Sequence, residues 1–192
     1  MKKTLFVASK NAGKIKENKK MLNFINCKLI MQPEFIEVSE DGKTFEENAK
    51  KKASEVSLKT NNYSIADDSG LCIEALGGKP GIYSSRYAVN DQKRIERVLK
   101  ELHGEKRRNA YFIAHVCLAD PRGKVILQTE AKCFGNILLE PRGQDGFGYD
   151  PIFEEINSKL SFAEMSDDMK DFYSHRGKAI KKLIPDLVKI FD

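Results

Sequence analysis

The sequence has four scattered cysteines, no paired cysteine motif and no long apolar run, and each absence removes a class of protein. Cys27, Cys72, Cys117 and Cys133 lie far apart and mostly among apolar neighbours. Without a CxxC pair they suggest neither a zinc site nor a disulfide frame, and they read as small core residues in a reducing compartment. No stretch approaches the ~20 apolar residues of a membrane span. The apolar part of Met1-Lys2-Lys3-Thr4-Leu5-Phe6-Val7-Ala8 is too short for a signal peptide. A soluble cytoplasmic protein with no membrane partner is therefore expected. The GxxxxGK[ST] spacing of a Walker A loop is also missing. Charge is only mildly one-sided: 33 Lys and Arg against 28 Asp and Glu, net +5. That balance favours an anionic ligand without requiring nucleic acid.

What is present suits one globular domain spanning residues 1–192, with 41% hydrophobic and 32% charged residues and no repeat, low-complexity tract or linker. Leu5 to Ala8 reads as a buried strand, Ser9 to Lys14 as a loop, and Ile15 to Leu22 as a helix. Leu29 to Met31, stopped by Pro33, completes a β-α-β opening. Thr44-Phe45-Glu46-Glu47 is a capping box, and Phe45, Ala49, Ala53 and Val56 follow at helical spacing, predicting a helix over Thr44 to Leu58. Ile65-Ala66 leads into Asp67-Asp68-Ser69-Gly70, read as a buried strand ending in carboxylates with a bend at Gly70. The dense turn formers from Leu76 to Gly81 mark an ordered irregular segment. Ile95, Val98, Leu99 and Leu102 predict a helix starting at Asn90 or Asp91 and stopping at Gly104. Ala110–Leu118 and Lys124–Phe134, joined by Asp120-Pro121-Arg122-Gly123, predict a hairpin. Gly143 to Phe153 reads as loop. The stripe from Ile180 to Phe191 predicts a last helix, kinked or restarted at Pro185. The fold class is mixed α/β, with room for two lobes.

Several stretches could carry chemistry. Ser9, Lys10, Asn11, Ala12, Gly13 and Lys14 put a hydroxyl, an amide and two lysines before a helix, which suits a phosphate. Lys10, Lys14, Lys16, Lys19 and Lys20 crowd this region with Glu17 among them. Glu40 and Asp41, with Asp67 and Asp68, could form an all-oxygen site of the kind Mg²⁺ prefers. Consecutive residues of an extended segment face opposite ways, so Asp67 and Asp68 divide their roles. Gly146-Phe147-Gly148-Tyr149-Asp150 could stack a flat base. Arg176, in Ser174-His175-Arg176-Gly177, offers donors and no acceptor, and would favour oxo over amino groups on a base. A non-catalytic nucleic-acid-binding module and a pyrophosphatase for other modified nucleotides are the competing readings. The acidic stretches weigh against the first, so no nucleic-acid partner is expected.

Taken in order, these stretches resemble the inosine triphosphate pyrophosphatase family. The resemblance rests on Ser9-x-Asn11-x-x-Lys14, Thr44-Phe45-x-Glu47-Asn48-Ala49, Ala66-Asp67-Asp68-Ser69-Gly70-Leu71, Gly78-x-Pro80-Gly81-Ile82-Tyr83-Ser84-Ser85-Arg86-Tyr87, Phe147-Gly148-Tyr149-Asp150-Pro151-Ile152-Phe153 and Ser174-His175-Arg176-Gly177. The chain has Ser9 where the family usually has Thr, and Lys10 where Gly is usual. The resemblance implies an elongated α/β homodimer with helices flanking a central sheet and a nucleotide cleft between two lobes. It implies Mg²⁺-dependent hydrolysis of ITP, dITP or XTP to the monophosphate and pyrophosphate. Ser9 to Lys14 would hold the triphosphate, Glu40 and Asp68 the metal, and Ser69 would touch substrate. Phe147, Gly148, Tyr149, Asp150, Lys170, His175 and Arg176 would bind nucleotide and base. Asp68 would be the base for water, and Asp67 scaffold.

Overall fold

A computed structural model describes residues 2–192. β1 (Thr4–Val7), α1 (Ala12–Leu22) and β2 (Lys28–Met31) form the expected parallel β-α-β unit, with Leu5 beside Leu29 and Phe6 beside Ile30. α2 (Phe45–Thr60) leads to β3 (Tyr63–Ile73), which lies parallel to β1 on its other side. After two 3₁₀ turns come α3 (Asp91–Glu101), the hairpin β4 (Asn109–Ala119) and β5 (Val125–Ile137), then β6 (Phe153–Glu155), antiparallel to β5. α4 (Asp167–Tyr173) and α5 (His175–Phe191) close the chain. The six strands run in the order β2-β1-β3-β4-β5-β6, a mixed sheet flanked by helices. Among the described residues no helix is long and apolar enough to cross a membrane.

By its internal contacts the chain divides into two compact units. The first comprises the described residues through Asp68, Ala114–Ala131 and Arg176–Asp192; the second comprises Ser69–Ile113 and Lys132–His175. In the first, α5 buries Ala179, Ile180, Leu183, Leu187 and Phe191 with Leu5, Val7 and Ile65 of the sheet. Ala49, Ala53 and Val56 of α2 pack with Phe6, Ala8 and Ala66 in a separate cluster. The second unit is centred on Leu71, Ile73, Phe112, Phe153 and Phe162. Cys72, Cys117 and Cys133 are buried and Cys27 is partly so.

Three local expectations need correction. α1 begins at Ala12, because the Asn11 side chain accepts the Lys14 N–H at 3.0 Å and caps it; Ala12, Gly13 and Lys14 are the first helical turn, not loop. β3 does not end at the aspartates. It continues through Ser69 and Gly70, because Leu71-Cys72-Ile73 is a second apolar run buried in its own core. α5 runs unbroken through Pro185. An interior proline costs about 3 kcal/mol. The buried side chains on both sides of it, at about 2 kcal/mol each, outweigh that cost.

Candidate active site

In the first unit, α1, α2 and the start of α5 bring three cations, Lys14, Lys52 and Arg176, to the carboxyls of Asp67 and Asp68 on β3. Asp67, 3% exposed, receives Lys14 Nζ at 3.1 Å and Arg176 Nη2 at 3.0 Å and Nε at 3.2 Å on one oxygen. Burial alone would raise its pKa, but Arg176, Lys14 and Lys52 outweigh burial and hold it well below 3.8. Asp67 is thus a fixed charge within a buried network that Glu17 extends by an ion pair with Arg176. Arg176 is also buried, and these two carboxylates raise its pKa despite the desolvation. Desolvation lowers the pKa of Lys14, with Asp67 opposing it.

The neighbouring carboxylate is treated differently, as its opposite orientation on an extended strand requires. Asp68 accepts the Asn48 amide at 3.0 Å and Lys52 Nζ at 3.3 Å, and Lys52 reaches Glu40 at 2.6 Å. Desolvation raises the pKa of Asp68; Lys52 and Lys14 offset it only in part. Among the described residues no group of three or more His, Cys, Asp or Glu side chains gathers around one point. Glu40 and Asp68 nevertheless converge on one cation, the Lys52 ammonium. Two hard carboxylates sharing a cation are the kind of oxygen donors that Mg²⁺ takes.

The expected phosphate-binding residues occupy the start of α1. Ser9 accepts the Asn11 N–H at 3.2 Å and Asn11 caps the helix, while Lys10 turns aside to the Glu34 carbonyl at 2.9 Å. The first-turn N–H groups of α1, including those of Ala12 and Gly13, face the helix N-terminus, where an anion is favoured.

In the second unit the expected base-binding loop is tied by its own backbone. Asp150, 3% exposed, accepts the Phe147 N–H at 2.7 Å and Lys170 Nζ at 2.6 Å. The same ammonium lies 4.6 Å from the Phe147 ring centroid, a cation–π contact. Gly148 donates its N–H to Asp91 at 2.7 Å. Gly146 has φ +82°, and a Cβ there would meet Asp150 Oδ2 at 2.1 Å, so glycine is required. Tyr149 points the other way: its ring is in the core and its hydroxyl donates to the Ser84 carbonyl at 2.9 Å. His175 is buried, stacked on Phe112 with ring centroids 4.8 Å apart. Ser69 is partly exposed on β3.

Sequence reasoning missed Lys52, Asn48, Glu17 and Asp91. Asn48 and Lys52 are four apart, polar residues within the buried stripe of α2. Glu17 is three residues after Lys14 and so shares its face of α1. These spacings were the available signal. Asp91 carried none beyond its place at a helix start.

A helix N-terminus beside buried lysine–carboxylate clusters suits phosphate, and an aromatic–glycine loop suits a flat base. The chain belongs to the Ham1 family, whose sequence pattern matches residues 5–186. It is 67% identical over 189 residues to a dITP/XTP pyrophosphatase of Prochlorococcus marinus subsp. pastoris, covering 98% of this chain and 99% of that one. It is 49% identical to the dITP/XTP pyrophosphatase of a Nostoc species, covering 96% and 94%. Among solved structures, a HAM1 protein from Coxiella burnetii matches with TM-score 0.87 at 37% identity, covering 97% of this chain and 98% of that one. A nucleoside-triphosphatase/dITP/XTP pyrophosphatase from Mycobacterium abscessus matches with TM-score 0.74 at 36% identity, covering 95% and 99%.

Proposed function

We propose that the chain, acting as one domain over residues 1–192, hydrolyses ITP, dITP and XTP to the nucleoside monophosphate and pyrophosphate, removing non-standard purines from the nucleotide pool. The observation that carries this reading is the pairing of Glu40 and Asp68 on one cation in a member of a family whose relatives are named for that activity. Glu40 and Asp68 would hold Mg²⁺, which when bound would offset charge on the triphosphate. Lys14 and the first turn of α1, with Ser9 and Asn11, would bind phosphate oxygens. Lys10, with its ammonium turned to Glu34, would act through its backbone. Asp68 would orient the attacking water and take its proton, a task helped by its raised pKa. Lys52, already against both carboxylates, would stabilise negative charge as the water oxygen bonds to the α-phosphorus and pyrophosphate leaves.

Phe147 would stack the base; Gly148, Asp150 and Lys170 would fix that platform, and Tyr149 would support it from the core. Ser69, His175 and Arg176 would contact the nucleotide. Donor groups aimed at O6 would leave adenine's amino group opposite unpaired N–H groups, a mismatch that can reject an analogue by ~10⁴-fold. We read the working form as a cytoplasmic homodimer acting on free nucleotide, without nucleic acid or membrane. The direct test is product analysis with ITP and Mg²⁺: inosine monophosphate and pyrophosphate in equal amounts are expected. Stepwise release of orthophosphate with an inosine diphosphate intermediate would overturn the assignment.

A further inference from the structure

We infer that Asp91, at the first turn of α3, is a positioning residue for the loop that carries Phe147 and Gly148, an inference that rests on the proposed role of this loop in holding the base. Two consecutive N–H groups of the loop are each held by a carboxylate. Phe147 donates to Asp150 at 2.7 Å, and Gly148 donates to Asp91 at 2.7 Å. The two ties do different work. Asp150 is three residues from Phe147 and shapes the turn, which its ion pair with Lys170 links to α4. Asp91 is 57 residues away on a capped helix, so its bond fixes the loop against α3.

Packing makes that bond matter more. An open cavity of about 490 Å³ is lined by Gln92, Ile95 and Leu99 of α3, by Phe147 and Pro151 of the loop, and by Asp91 and Gly148. Tyr149 anchors the loop in the core, but the side that lines the cavity has no partner atoms opposite it and so fewer dispersion contacts to set its position. A charge-assisted hydrogen bond at the end of the cavity is directional and restores that definition. Asp91 is itself held: Asn90 caps the helix by accepting the Lys93 N–H at 2.9 Å, and Arg94 forms an ion pair with the other oxygen of Asp91. Gly148 has φ +63°, a conformation that presents its N–H to the helix and that other residues rarely adopt.

The test compares Asp91→Ala, Asp91→Asn and Arg94→Ala with wild type, in ITP kinetics and in amide hydrogen exchange. With its carboxylate half exposed, the bond lies at the weak end of charge-assisted bonds, so Asp91→Ala should raise KM for ITP about tenfold with kcat within about twofold. Asp91→Asn keeps an acceptor oxygen and should restore KM. Arg94→Ala keeps the Gly148 bond but loosens Asp91, and should raise KM by less than Asp91→Ala; an equal or larger rise would assign the effect to the ion pair and overturn the Gly148 tie. Exchange at residues 146–149 should quicken in Asp91→Ala without nucleotide. Unchanged exchange there would overturn the tie whatever the substrate. Quickened exchange with unchanged KM, or no rescue by Asn, would overturn its role in binding. Absence of wild-type ITP hydrolysis would instead strike the functional reading, with the exchange result still deciding the tie.

Discussion

Replacing Lys52 with methionine removes one ammonium and keeps most of the side-chain volume, so its effect isolates the charge. In the native protein that ammonium is 2.6 Å from Glu40 and 3.3 Å from Asp68. Its pKa is raised: burial works against the charge, and Asp68 and Glu40 outweigh burial. Without Lys52, Asp68 is left 5% exposed with the Asn48 amide and more distant help from Lys14. Removing one partner of a buried pair costs about 3–5 kcal/mol. Glu40, with a side chain 31% exposed, can recover water, which places the loss near the lower end, at about 3 kcal/mol. For a chain of this length that is a fall in Tm of about 6–12 °C. The assay is thermal unfolding with and without millimolar Mg²⁺. If Glu40 and Asp68 hold the metal, Mg²⁺ should raise the Tm of Lys52→Met more than that of wild type, because the divalent ion takes the place of the lost ammonium. A fall below about 2 °C without metal would refute the buried-pair reasoning. The expected fall with no differential response to Mg²⁺ would refute the shared metal site.

Other outcomes follow from the same geometry. Asp68→Asn should lower kcat for ITP by about 10²–10⁴-fold, the usual worth of a general base. It should lower Tm by less than Lys52→Met does, since the native site disfavours the Asp68 charge and Glu40 still pairs Lys52; near-normal turnover would remove Asp68 from the mechanism. Gly146→Ala forces a Cβ to 2.1 Å from Asp150 Oδ2 at φ +82° and should cost about 2–4 kcal/mol, from backbone strain and the displaced carboxylate bonds. Denaturant unfolding unchanged from wild type would show that the turn has another accessible form. Glu155 accepts the Asn157 and Ser158 N–H groups at 2.9 and 2.7 Å, and these bonds hold its pKa below 4.5 although burial pushes it up. A depressed carboxylate stabilises the fold above its unfolded pKa and loses that contribution as pH falls through its folded value. Glu155→Gln should therefore be less stable than wild type at pH 7, and the gap should close as pH drops from about 4.5 through the depressed pKa. A gap independent of pH would assign the loss to shape alone.

Much of this was legible in sequence because local signals and burial agreed. The Thr44 N-cap, the Ala49-Ala53-Val56 stripe and the Asp120 to Gly123 turn each specify one local geometry, and the structure adopts it; of the capping box only the Thr44 half forms, because Glu47 accepts the Lys43 N–H instead of the Thr44 N–H. The reading failed where two signals competed. Asp67-Asp68-Ser69-Gly70 carries turn chemistry, but apolar runs on either side keep the backbone extended, so core packing overrode it. Pro185 lost to the buried stripe in the same way. Within the site, the division between Asp67 and Asp68 followed from strand alternation. The identities of their partners did not, because Lys14, Lys52 and Arg176 come from three different elements and no local pattern states which lysine among many will be buried. Six ordered motifs supplied the family where single motifs were ambiguous.

The central claim is selection for the non-standard base, and a competition experiment tests it most directly. Pyrophosphate release from ITP, dITP and XTP is measured with Mg²⁺ against ATP and GTP at equal concentration. The account predicts kcat/KM for at least one of the first three to exceed that for ATP by orders of magnitude, approaching the ~10⁴-fold an unpaired donor can impose, with release abolished by chelation of the metal. Equal release from ITP and ATP would contradict it.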